Sequence, residues 1–195
     1  MIQQGFGDVT GKMPPSPEKH MSRTLLAAAS LVLLQVLTPS RPHAPKAPPW
    51  NNTSWLNADQ SLTLESLRGR VVLLNFWTFT CYNCTNTVPA LVDFDARFRE
   101  RGLTVIGMHD PEFPPSGGEH DKKNVQSALV RHGIKYPNAQ DNDHATWNLY
   151  GIRAWPSFVL IDRKGNIRYE GAGEFHVADR WYQQWDTRIQ ELLVE

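Results

Sequence analysis

Val71 to Trp77 (VVLLNFW) is followed after three residues by Cys81-Tyr82-Asn83-Cys84, and then by a helical pattern. The first run is short, apolar except at Asn75 and rich in β-formers, so it reads as a buried strand. Beyond Cys84, the residues Val88, Leu91, Phe94 and Phe98 recur at helical spacing, and the pattern ends near Arg101-Gly102. Pro89 falls inside this helix and is expected to kink it. Leu103 to Met108 (LTVIGM) reads as the next strand. Strand, helix and strand in this order form a right-handed parallel unit. The two cysteines therefore stand where a buried strand hands over to a helix.

The remainder extends this into an α/β domain with a central mixed sheet flanked by helices. Pro111 to Gly118 reads as loop, and Val125, Ala128, Leu129 and His132 share one face of a second helix. A short strand is expected near Tyr136 to Ala139 and a short helix near Ala145 to Tyr150. Ser157 to Ile161 and Ile167 to Tyr169 flank Arg163-Lys164-Gly165-Asn166, a hairpin signal with glycine in the turn. In the last helix, Val177, Trp181, Trp185, Ile189 and Leu192 form one stripe, expected to be core packing. The domain is expected to span residues 50–195.

Residues 1–49 read as a tail. Lys19 and Arg23 precede an apolar run from Leu25 to Leu37, broken only by Ser30 and Gln35. Basic region followed by apolar region is the order of a signal peptide, and a start at Met21 would make the more typical one. The run is shorter than the ~20 residues of a straight membrane span. Yet no A-x-A site follows it, and Ala44 and Ala47 each precede a proline. An uncleaved anchor over about residues 24–40 is therefore favoured over a removed signal, against the plainer alternative of a disordered tail. The prolines between Pro39 and Pro49 then form a stiff spacer.

Lys plus Arg and Asp plus Glu both number 20, so there is no basic excess of the kind nucleic-acid binding needs. The chain has only two cysteines, Cys81 and Cys84, so a disulfide-stapled scaffold is excluded. The reactive species of a cysteine is the thiolate, and a helix N-terminus stabilises negative charge. Cys81 should therefore titrate below the ~8.5 of a free thiol. Cys84, one turn further in, should be the resolving thiol. A zinc site would need two further ligands, and no second cysteine pair or suitably spaced histidine pair supplies them. Haem attachment would need a histidine where Thr85 stands. The best rival is a peroxidatic Cys81: Thr78 fits the P-x-x-x-T-x-x-C pattern, but Leu74 replaces its proline.

The stretches NFWTFTCYNC, GLTVIGMHDPEF, YPNAQDNDHATWNLYGI and WPSFVLIDRKGNIRY resemble the thioredoxin superfamily. More narrowly, they resemble the TlpA branch and the thioredoxin-like domain of DipZ-type proteins. The resemblance covers about Val71 to Gly173. It implies a thioredoxin fold with an inserted helix–strand segment and a protein-disulfide oxidoreductase activity without a cofactor or metal. It implies that Trp155-Pro156 is the family's cis-proline position, where the backbone of Trp155 pairs with substrate peptide, and that Trp77 is the aromatic residue near the cysteines. Trp77, Trp155 and Pro156 are thus the expected substrate-binding residues. It further implies protein thiols or disulfides as substrates, a membrane electron relay of the cytochrome-c-biogenesis type as partner, and a monomer facing the periplasm or cell exterior.

Two positions depart from the family. Asn75 stands where thioredoxin has a titrating aspartate, and Thr87 where some TlpA-like proteins have a glutamate. The proton acceptor for Cys84 is left unassigned; Glu112, in the loop after the second strand, is a candidate base, with a solvated loop acid as the favoured reading. No lysine, arginine or histidine lies between or next to the cysteines, so the Cys81 pKa is expected nearer the ~7 of thioredoxin than the ~3.5 of a strong oxidant. That favours a reductase. Two alternatives stand beside it: a thiol peroxidase using Cys81, and a non-catalytic module that binds peptide at the cis-proline groove.

Overall fold

The computed structural model describes residues 44–112 and 117–195. In chain order the elements are β1 Trp55–Leu56, β2 Val71–Trp77, α1 Tyr82–Phe98, β3 Leu103–His109, α2 Lys122–Arg131, β4 Asn138–Gln140, α3 Ala145–Leu149, β5 Ser157–Ile161, β6 Ile167–Ala172 and α4 Arg180–Val194. They build one mixed sheet in the order β1-β4-β3-β2-β5-β6. β2 lies at its middle, parallel to β3 and antiparallel to β5. The segment α2–β4 adds a strand parallel to β3.

All seven residues of β2 are buried because both faces of the sheet are covered. Val71, Leu73 and Trp77 turn toward α1, α2 and α4, whereas Val72, Leu74 and Phe76 turn toward α3 and residues Ala47, Trp50 and Trp55. This two-sided burial explains why the strand reads as a continuous apolar run rather than an alternating one. Each fully buried Leu or Phe contributes roughly 1.5–3 kcal/mol. α1 lays Cys84, Val88, Leu91, Phe94 and Phe98 on the sheet and is continuous through the exposed Pro89. It ends in a short 3-10 turn, Arg99–Arg101, closed by Gly102 at φ 108°.

Three features differ from the sequence expectation. First, the packed domain begins before residue 50. Lys46 bridges Asn166, the Ile167 N–H donates to Pro45 O at 2.8 Å, and Ala47 and Trp50 are buried. Pro45, read as part of a stiff spacer, thus continues the hairpin edge, because a proline carbonyl still accepts. Second, the two-residue strand β1 pairs with β4, too short for any periodicity to betray it. Third, Val177 and Trp181 are exposed, and Tyr182 takes the core position expected for Trp181. Asp179 caps α4 by accepting from Tyr182 N–H, so Val177 precedes the helix. Tyr182 then stacks on Phe94 at 4.6 Å and its hydroxyl donates to Asp93. The signal or anchor segment, about residues 24–40, lies outside the described residues.

β3 carries a glycine for a packing reason. A Cβ on Gly107 would run into the side chain of Asn138 and come within 2.9 Å of Trp77 Nε1. Those two groups are bonded, Trp77 Nε1 donating to Asn138 Oδ1 at 3.0 Å in the buried core. Gly107→Ala is expected to push Asn138 aside and leave a buried indole N–H unsatisfied, costing about 1–3 kcal/mol. Urea denaturation checks this; a change below about 0.5 kcal/mol, the scatter of ordinary surface substitutions, contradicts it.

Candidate active site

β2 ends at Trp77, and Thr78-Phe79-Thr80 carries the chain to Cys81, the N-cap of α1. Cys81 has extended backbone (φ −74°, ψ 112°), so its side chain folds over the first turn. There its sulfur accepts the Cys84 N–H at 3.2 Å. The cap position that serine or aspartate commonly fills is thus held by a sulfur, and the N–H groups and helix dipole that favour an oxygen acceptor favour a thiolate. The first turn contains no acidic residue to oppose it.

Cys81 and Cys84 are joined in a disulfide with Cα atoms 5.3 Å apart. Cys84 is only 1 % exposed and belongs to the apolar cluster under α1, whereas Cys81 borders that cluster half-buried. Tyr82 and Asn83 between them are exposed. An incoming disulfide therefore reaches Cys81 and not Cys84.

The remaining expected residues fall into place unequally. Trp155–Pro156 is a cis peptide bond. Ser157 pairs with Phe76, so Pro156 stands at the end of the sheet from which the cysteine loop departs. Trp155 is half-buried, lies 4.3 Å from the Trp147 ring and borders the same apolar cluster as Cys81. Trp77 corrects the expectation: it is fully buried and held by Asn138, so it supports the site from beneath and presents no surface to a substrate. Thr87 is buried, donates to Asn83 O at 2.9 Å and accepts from Phe175 N–H at 3.4 Å, which ties α1 to the loop after β6. Asn75 is buried and does not titrate.

Glu112 also gives way to a residue that the sequence reading passed over. It supplies a backbone N–H, which donates to Glu119 Oε2 at 3.0 Å. Glu119 is fully buried, and its Oε1 accepts from Thr78 Oγ1 and, at 2.5 Å, from Thr80 Oγ1. Thr78 Oγ1 also lies 3.3 Å from His109 Nε2, and because the hydroxyl donates to Glu119, the ring nitrogen is the donor to the hydroxyl. His109 is fully buried between Trp77, edge-on at 5.4 Å, and Phe79, stacked at 5.4 Å. Beside it, burial and the neighbouring Asp141 push the Asp110 carboxyl well up. Residues 111–118 read as loop, and no periodicity marks an acid that folds back under the cysteine loop.

Burial lowers the His109 pKa from 6.5 to about 4, against the opposing pull of Glu119. The unfolded chain takes up this proton as pH falls through 6.5, while the folded chain refuses it until about 4. Stability is therefore lost on acidification across that window, by up to about 3 kcal/mol from this group. Asp110 has the opposite sign, since its raised pKa costs stability as pH rises above 3.8. His109→Asn, which carries no titrating group, is expected to flatten the loss between pH 6.5 and 4. Urea midpoints over that range test it; wild type and variant with the same pH dependence contradict it.

Comparison with known proteins agrees with this geometry. Residues 44–170 match the AhpC/TSA family. The chain is similar to Protein DipZ of Mycobacterium bovis, 39 % identical over 136 residues, which cover 68 % of this chain and 19 % of that protein. The match thus spans about a fifth of the DipZ length. The chain is also similar to the thiol-disulfide oxidoreductase YkuV of Bacillus subtilis, 27 % identical over 73 % of this chain and 89 % of that one. Among solved structures it resembles a thiol-disulfide isomerase from Corynebacterium glutamicum, with a TM-score of 0.65, 28 % identity and coverage of 76 % of this chain and 97 % of that chain.

Proposed function

The chain belongs to the AhpC/TSA family, and from that premise we propose that it is a thiol–disulfide oxidoreductase in which Cys81 attacks and Cys84 resolves. One observation carries this reading: a reachable sulfur at the N-cap of α1 accepts the N–H of a buried cysteine to which it is disulfide-bonded. In the reducing direction, the Cys81 thiolate attacks one sulfur of a substrate disulfide. The other substrate sulfur leaves as a thiolate and takes a proton. Cys84 then gives up its proton and attacks Cys81, the mixed disulfide breaks, and the second substrate thiol departs. Two electrons and two protons pass from the cysteine pair to the substrate.

Protein disulfides are the substrate class, met by the exposed Tyr82-Asn83 surface and the backbone at Trp155-Pro156, just before β5. The chain works as a monomeric reductase outside the cytoplasm, recharged by a membrane electron relay of the cytochrome-c-biogenesis type. The similarity to DipZ and the basic-then-apolar order of residues 19–37 support that setting. A peroxidase would use the same Cys81 on a peroxide. The disulfide to a cysteine three residues on favours dithiol exchange, and the missing proline at Leu74 weighs against the peroxidase.

Substitution of each cysteine separates the roles. Cys81→Ser is expected to abolish reduction of insulin disulfides. Cys84→Ser is expected to lose turnover and accumulate mixed disulfides with substrate proteins, visible on non-reducing gels. Trapping by Cys81→Ser while Cys84→Ser turns over normally reverses the assigned order. Rapid consumption of hydrogen peroxide without disulfide reduction establishes the peroxidase instead.

A further inference from the structure

Disulfide exchange uses two sulfurs and a helix N-terminus, and leaves Glu119 without a part. Yet this side chain is fully buried, and among the described residues donors converge on it from the hydroxyls of Thr78 and Thr80 and the backbone N–H of Glu112. A carboxyl surrounded by donors suits the ionised form, which only accepts. Burying a carboxylate is costly, and a core formed by packing alone is better served by an apolar side chain.

Its donors place it in relation to the chemistry. Thr78 follows the last residue of β2, and Thr80 immediately precedes Cys81. The chain reaches Glu119 through Gly117 and Gly118, both left-handed at φ +56° and +69°. A Cβ on Gly117 would lie 3.0 Å from Thr80 Cγ2, so glycine allows this turn to close against the cysteine loop. The carboxylate is thereby bonded to the residue next to the attacking thiol. It is also the far end of a line of polar groups, His109 Nε2 to Thr78 Oγ1 to Glu119 Oε1, in which the buried imidazole stays neutral near neutral pH.

We propose that Glu119 is a positioning residue of the redox site: through Thr80 it fixes the approach of Cys81 to α1, and its charge opposes the Cys81 thiolate, which makes the cysteine pair more reducing than the helix N-terminus alone would. The sign follows from the two states. The disulfide carries no charge on sulfur, whereas the reduced pair carries the thiolate. A like charge nearby disfavours the thiolate, hence the reduced form, hence lowers the potential. The helix N-terminus acts in the opposite direction, and Glu119 offsets it. This deepens the reductase reading of the same site and rests on it.

The test uses the full chain as wild type, Glu119→Gln, Thr80→Val and Thr80→Ser, each checked for folding by thermal melting. Equilibration in dithiol–disulfide buffers, read by thiol labelling, gives the redox equilibrium constant. Glu119→Gln is expected to shift it about tenfold toward the reduced form, which is about 30 mV for a two-electron couple. Thr80→Val, nearly the same shape without the hydroxyl, is expected to slow insulin reduction several-fold, and Thr80→Ser to restore it. A folded Glu119→Gln with an unshifted constant overturns the inference. If Glu119→Gln does not fold, Thr80→Val reducing insulin as fast as Thr80→Ser overturns it. A wild-type chain that does not exchange with dithiols overturns the oxidoreductase reading as well, whereas an active wild type with an unshifted Glu119→Gln overturns this inference alone.

Discussion

The bond from Cys84 N–H to Cys81 Sγ, 3.2 Å long at the first turn of α1, sets the geometry of the redox site. It exists because β2 delivers the chain to the helix start in extended conformation and because a sulfur stands at the cap. The same turn exposes one cysteine and buries the other, and so assigns an attacker and a resolver without any further residue. The two-sided burial of β2 and the packing of α1 against it set that junction in place, and the antiparallel neighbour β5 brings the Trp155–Pro156 bond to the same end of the sheet.

Two opposing fields act at the junction. The helix N-terminus draws negative charge onto Cys81, and Glu119, bonded to the threonines on either side of Phe79, pushes against it. His109 could have added a positive charge behind the site, but burial holds it neutral near neutral pH. On the proposed reading, this balance favours a pair that gives electrons away. The stability of the domain and the redox setting of its site are thus connected through the same buried polar groups.

What was legible in the sequence was local. The strand Val71–Trp77, the cysteine pair and the Ser157–Ala172 hairpin announce themselves by composition, spacing and turn chemistry within a few residues. What was not legible depends on partners far along the chain. β1 exists only because β4 is there to pair with it, and Pro45–Trp50 packs only because the edge at Asn166–Ile167 is open. Helical spacing allowed either Trp181 or Tyr182 to face the core, and the Phe94 ring and Asp93 carboxylate decided for tyrosine. Glu112 was a candidate base only because it follows a strand end; the acid that bonds the cysteine loop, at Thr78 and Thr80, is Glu119, through a glycine turn that no periodicity reveals.

The reduction potential of the Cys81–Cys84 pair reports the outcome of the opposing fields at one disulfide. Equilibration of the full chain with glutathione buffers measures it. The expected potential lies nearer the ~−270 mV of thioredoxin than the ~−120 mV of a strong oxidant. A value above about −180 mV contradicts it and makes the chain a donor of disulfides rather than a reductase.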